Sequence, residues 1–174
     1  GTQIVGHDVL VDDTLVDPKQ GTFGRAIGVQ SGANVRIQRA DLRANRDIAL
    51  FVSGVGSAFA GSGVRIVDTR SGTTKPSFGR AVEVNGGASL RLDGSSLALF
   101  AELAALVGGE GSALLGHGVG VDGEPAAGSS LAGEGVVVQQ AGALDWRLGV
   151  LKRVADAAVT VQQGSVANIA GVRM

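Results

Sequence analysis

The chain copies itself at one fixed spacing, a period of 55. Phe23-Gly24-Arg25-Ala26 returns as Phe78-Gly79-Arg80-Ala81, and Gly56-Ser57-Ala58 returns as Gly111-Ser112-Ala113. Gly61-Ser62-Gly63-Val64 returns as Gly116-His117-Gly118-Val119. Self-similarity at a fixed period restricts a chain to an array in which each unit buries its apolar face only against its neighbours. Such a pattern constrains shape far more than activity.

A finer ladder runs inside the repeat. A valine followed by a polar or glycine turn recurs at Val29, Val52, Val84, Val107, Val138 and Val161, and the gaps between these valines alternate between short and long. Each repeat unit therefore divides into a short and a long turn of chain. Before the marker stands a period-two apolar stretch, as in Ile48-Leu50-Val52 or Val82-Val84; after it stands a second, as in Val35-Ile37 or Leu90-Leu92. Alternation over a few residues bounded by glycine is a strand signal. The expectation is a stack of strand-turn-strand levels. At about 4.8 Å per level, six marked levels with partial ones at the ends give a rod roughly 30 Å long. The 29 glycines suit the corners, and the three prolines, Pro18, Pro76 and Pro125, all fall in the long turns. Proline lacks the N–H that a stacked strand must donate, so it belongs there.

Two segments pull toward helix. The run 96–106 is rich in helix formers, and Leu148, Leu151, Val154 and Ala155 have helical spacing. The repeat outweighs local propensity, which packing overrides, so both are read as strand with at most a helical turn at a corner.

The segments Gly24-Arg25-Ala26-Ile27-Gly28-Val29-Gln30-Ser31-Gly32-Ala33, Ile48-Ala49-Leu50-Phe51-Val52-Ser53-Gly54 and Val64-Arg65-Ile66-Val67-Asp68-Thr69 carry a resemblance. The chain resembles the right-handed parallel β-helix proteins of the pectate-lyase-like superfamily, most of all bacterial cell-surface versions without an evident active site. The resemblance implies an all-β solenoid of about six to seven coils alternating short and long, with the right hand taken from the family. It spans residues 1–174 as one segment, with repeats at about 1–55, 56–110 and 111–163 and a partial one at 164–174.

Composition narrows the partners. With 44% hydrophobic residues in 174, the chain can bury a core as one domain. Five Phe, one Trp and no Tyr suit a narrow aliphatic core and weigh against a sugar site built on aromatic faces. A net charge of −1 with scattered basic residues argues against nucleic acid. No apolar run is long enough to span a bilayer. The absence of cysteine excludes disulfides and thiolate metal sites and fits a bacterial exported protein. Both ends fall in mid-unit without a polar cap, which reads as a segment of a longer exported chain, extracellular or at the cell surface. Uncapped ends favour self-association end to end or edge to edge.

Candidate chemistry is sparse. His7 and His117 share a repeat position but stand two units apart, about four levels of roughly 4.8 Å, too far to share one metal with ligands at about 2 Å. Gly118-Val119-Gly120-Val121-Asp122-Gly123 has the letters of a dinucleotide fingerprint, yet Glu124-Pro125 follows it where a helix is needed. Gly108-Gly109-Glu110-Gly111-Ser112 lacks the aspartate of a calcium nonapeptide. Carboxylates at Asp12, Asp13 and Asp17, at Asp68, and at Asp122 and Glu124 are the groups that calcium or a lyase or glycosidase site would use. A catalytic site is unique and breaks a repeat, whereas most charged positions here follow it or drift, and no nucleophile-base pair is assembled from His7 or His117. No catalytic residue, metal or cofactor is assigned. The long turns at 13–22, 68–77 and 123–132 are polar and equivalent, and insertions of this kind collect on one face of a solenoid. Asp17, Lys19, Asp68, Arg70 and Lys75, with Thr73 and Thr74, in these turns, and Arg25 and Arg80 beside them, are the candidate contacts for a glycan or protein surface. The expected function is a non-catalytic structural or adhesive module. A polysaccharide lyase or glycoside hydrolase of the same superfamily is the alternative.

Overall fold

The computed structural model describes residues 1–15, 17, 19, 24–71, 79–124 and 133–174. Every element among them is a β-strand. In chain order these are β1 (Gln3–Asp12), β2 (Ile27–Val29), β3 (Asn34–Arg43), β4 (Ile48–Ser53) and β5 (Ala58–Thr69). There follow β6 (Arg80–Asn85), β7 (Ser89–Asp93), β8 (Ser96–Phe100), β9 (Leu103–Gly108), β10 (Ala113–His117) and β11 (Gly120–Asp122). The last are β12 (Glu134–Gln139), β13 (Ala143–Arg147), β14 (Val150–Lys152), β15 (Ala155–Val161) and β16 (Val166–Ala170). The helix-prone run 96–106 is taken up by β8 and β9.

All named ladders are parallel, and they build two sheets. The six-stranded sheet runs β15-β12-β9-β6-β4-β2. The ten-stranded sheet begins with the long strands β1, β3 and β5, then forks. The first half of β5 leads into β7-β10-β13-β16, and its second half into β8-β11-β14. Parallel neighbours need a long crossover between them, and the register shows it. Gln3 faces Asn34, Asn34 faces Ala58, Ala58 faces Ser89, and Ser89 faces Ala113, so longer and shorter crossovers alternate along the chain.

The marker valines fall in one line. Val29 pairs with Val52, Val52 with Val84, Val84 with Val107, Val107 with Val138 and Val138 with Val161. The first five are at most 1% exposed. On the ten-stranded sheet a second apolar line runs Ile4, Val35, Phe59, Leu90, Leu114, Leu144, Ala167. The core is what these lines enclose.

Beside the Phe59 line, small and large side chains alternate: Gly6, Ile37, Gly61, Leu92, Gly116, Trp146. A β-carbon on Gly61 would lie 2.6 Å from Cγ2 of Val64 and 2.8 Å from Cε1 of Phe59, so only glycine fits. The large neighbours fill the room that the glycines leave, as close packing demands. The alternation has the same two-strand period as the repeat and ends at Trp146, which faces Ile169.

The bend where the ten-stranded sheet forks is also copied. Asp8, Arg39, Gly63, Gly94, Gly118, Leu148 and Gly171 all have positive φ, between 51 and 63°. This backbone state is costly for residues with a β-carbon, which explains glycine at four of the seven. At the other three the fold imposes the state on the side chain present.

Candidate functional site

The long connections leave the ten-stranded sheet from one line. Asp12 pairs with Arg43, Arg43 with Val67, Val67 with Ala98, Ala98 with Asp122 and Asp122 with Lys152. The residue after each turns the chain, and Asp13, Ala44, Asp68, Leu99 and Arg153 adopt positive φ of 53–60° there. The side chains at this corner pair among themselves. Arg70 donates a fork of hydrogen bonds to Asp68. Arg153 donates from Nε to Oδ1 of Asp122 at 2.7 Å, Lys152 Nζ approaches the same carboxylate at 3.1 Å, and Arg153 Nη1 reaches Glu124 at 2.8 Å. The Arg153 hydrogen bonds, with help from Lys152 and against some burial, pull Asp122 down to a pKa of about 2. Asp17 Oδ1 accepts the backbone N–H of Lys19 at 2.7 Å, a local turn bond. Lys75, Thr73, Thr74, the three prolines and most of the long connections lie outside the described residues.

Arg25 and Arg80 engage neighbouring residues, Phe51 and Glu83, on the outer side of the six-stranded sheet. The Arg25 guanidinium carbon sits 3.7 Å from the centre of the Phe51 ring, a stacked cation–π contact. Phe51 is in register with Glu83. Arg80 donates to both oxygens of Glu102 at 2.9 Å and to Glu83 at 2.7 Å, while Asn85 Nδ2 holds the other Glu83 oxygen at 2.7 Å. Burial lowers the pKa of Arg25 against the pull of Asp47 and Glu83. Burial also opposes the charge on Arg80, but the bonds to Glu102 and Glu83 outweigh it and hold its pKa above the ordinary value. The turn at 44–47 ties these groups together: Asp47 N–H donates to Arg70 O at 2.9 Å, and Arg80 N–H donates to Asp47 O at 3.0 Å. The fold thus brings Arg25, Arg70 and Arg80 around one turn, with Asp68 forked to Arg70. A ring and internal carboxylates engage them, so the cluster braces the long connections where they enter and leave the sheets.

The register separates the two histidines. His7 faces Gln38, Gln38 faces Ser62, Ser62 faces Asp93 and Asp93 faces His117, a distance of four strands. Among the described residues no three His, Asp or Glu side chains gather around a metal position. Among them, too, no helix is long and apolar enough to cross a membrane.

Sequence reasoning missed a trough on the outer side of the ten-stranded sheet. Its floor is the small outward set of β5, namely Ala58, Ala60 and Ser62; Arg36 and Gln38 of β3 wall one side, and Arg91 and Asp93 of β7 the other. Two adjoining cavities of about 570 and 430 Å³ share Val5, Arg36, Ala60 and Arg91, and His7 lies at one end. A smaller hollow of about 240 Å³ follows two strands on, over Leu115 and His117, between Arg91-Asp93 and Asp145-Arg147. Arg91 bonds Asp93 at 2.8 Å and Arg147 bonds Asp145 at 2.9 Å, each within its own strand. Among the described residues no carboxylate pairs with Arg36. The signal was present in the sequence: Arg36-Ile37-Gln38 and Arg91-Leu92-Asp93 stand one repeat apart, and the one difference in charge is Gln for Asp.

Comparison of the chain with protein-family models, characterised proteins and solved structures finds no match to any of them.

Proposed function

We propose that the chain is a right-handed parallel β-helix of six to seven windings, alternately short and long, acting as a non-catalytic structural or adhesive module of a bacterial surface or secreted repeat protein. The observation that carries this reading is the unbroken valine line from Val29 to Val161 across six parallel strands. A ladder saturated from strand to strand over a dry aliphatic core resists bending. It would hold the long connections, which leave after β1, β5 and β11, on one side for contact with a glycan or protein. The right hand rests on the resemblance to the pectate-lyase-like proteins. Placement outside the cell rests on that resemblance.

Asp122 is not poised as a general acid or base. A general acid or base needs a pKa near the working pH, whereas Asp122 is pulled down to about 2 by its arginine and lysine partners. Incubation with polyuronates and calcium tests the alternative of a polysaccharide lyase or hydrolase. The scaffold reading expects neither unsaturated nor new reducing ends above a heat-denatured control. Turnover that survives repurification and disappears on denaturation would overturn it.

A further inference from the structure

One wall of the trough along β5 carries an arginine that, among the described residues, has no carboxylate beside it. Arg36 and Arg91 stand in one outward line with Ala60 between them; Gln38 and Asp93 stand in the next with Ser62 between them. Arg91 holds Asp93, two places on in its own strand. At the matching position of β3 stands Gln38, an amide that accepts a hydrogen bond but carries no charge. Beside Arg36 lies open space, the cavity of about 570 Å³.

We propose that this trough binds an extended acidic peptide of a partner protein, one Asp or Glu carboxylate taking the place beside Arg36 that Asp93 takes beside Arg91. The dimensions fit an extended chain. From Ala58 to Ser62 the floor runs four steps of a strand, about 13 Å, and its walls repeat at every second step, about 6.7 Å, which is the repeat of an extended peptide itself. The peptide does not add as a strand, because β5 is already paired with β3 on one side and β7 on the other. Side chains must hold it: Arg36 by a charge-assisted fork, Gln38 and Ser62 by hydrogen bonds to its backbone. A glycan fits less well, since Phe59, the phenyl ring in the lining, is 2% exposed and turned into the core, leaving no phenyl or indole face for a sugar. This inference stands apart from the proposed scaffold role and concerns a different face.

The test uses the full chain and a fluorescent, end-capped hexapeptide alternating Glu and Val, with its Gln-Val counterpart as control, read by anisotropy. The Glu peptide is expected to bind saturably and more weakly as salt rises, and the Gln peptide not to bind. Arg36→Gln and Gln38→Asp should each weaken binding by about tenfold or more. Gln38→Asp keeps the arginine and supplies the internal carboxylate that β7 already has, so its loss of affinity with an unchanged melting curve is the discriminating result. Arg147→Gln, outside the trough, should leave affinity unchanged. Absence of saturable binding, equal binding of the Gln peptide, or undiminished affinity in Gln38→Asp would overturn the proposal. So would preferential, Arg36-dependent binding of an acidic oligosaccharide.

Discussion

Gly61 shows at the level of one residue how a copied glycine is packed. It occupies an inward position between Ile37 and Leu92, and its missing side chain is the space that Phe59 and Val64 fill. Gly61→Ala adds one methyl group into a full core, which costs about 1–3 kcal/mol. Chemical denaturation should show that loss with the slope of the transition unchanged. Ala60→Gly, on the exposed side of the same strand, provides the comparison and should cost less than about 1 kcal/mol. Equal losses in the two variants would show that the small–large alternation does not organise the core. The glycine at 61 was visible in the sequence as part of the copied Gly-Ser-Gly-Val. Its reason was not, because the bulky partners Ile37 and Leu92 come from the strands on either side, each a full crossover away along the chain.

At the level of the element, ionic pairs within and between strands decide how the surface responds to acid. Asp122 closes β11 and is held by Lys152 and Arg153 at the end of β14 and just beyond it. Its folded pKa of about 2 lies below the ordinary 3.8, so the folded state favours the charged form. The stability it contributes is complete above pH 3.8 and is lost as pH falls through about 2. Asp122→Asn should therefore lower stability at pH 7 and flatten the fall between pH 4 and 2. If the variant loses stability in parallel with the parent across that window, the pair is not the source of the acid response. Strand positions were legible in the sequence because valine, isoleucine and leucine alternate with polar residues over β3, and apolar side chains recur at every second place in β4 and β7. The pairings were not. Nothing local to Arg80 announces Glu102 as its partner, nor anything local to Arg25 the Phe51 ring beside it. The trough escaped notice for a related reason: its floor and its two walls come from three different strands.

For the whole molecule the proposed β-helix requires that successive windings lie one above another at a constant rise. The outward line His7, Gln38, Ser62, Asp93, His117, Arg147, Ala170 supplies a ruler along the stack. The chain has no cysteine, so introduced pairs can be labelled cleanly. Spin labels at Ser62→Cys and Ala170→Cys span four steps, about 19 Å, and labels at His7→Cys and Ala170→Cys span six, about 29 Å. The account predicts that the distance between labels, measured by pulsed electron spin resonance, grows by about 10 Å from the first pair to the second. Equal distances, or a shorter one for the pair further apart in register, would contradict it.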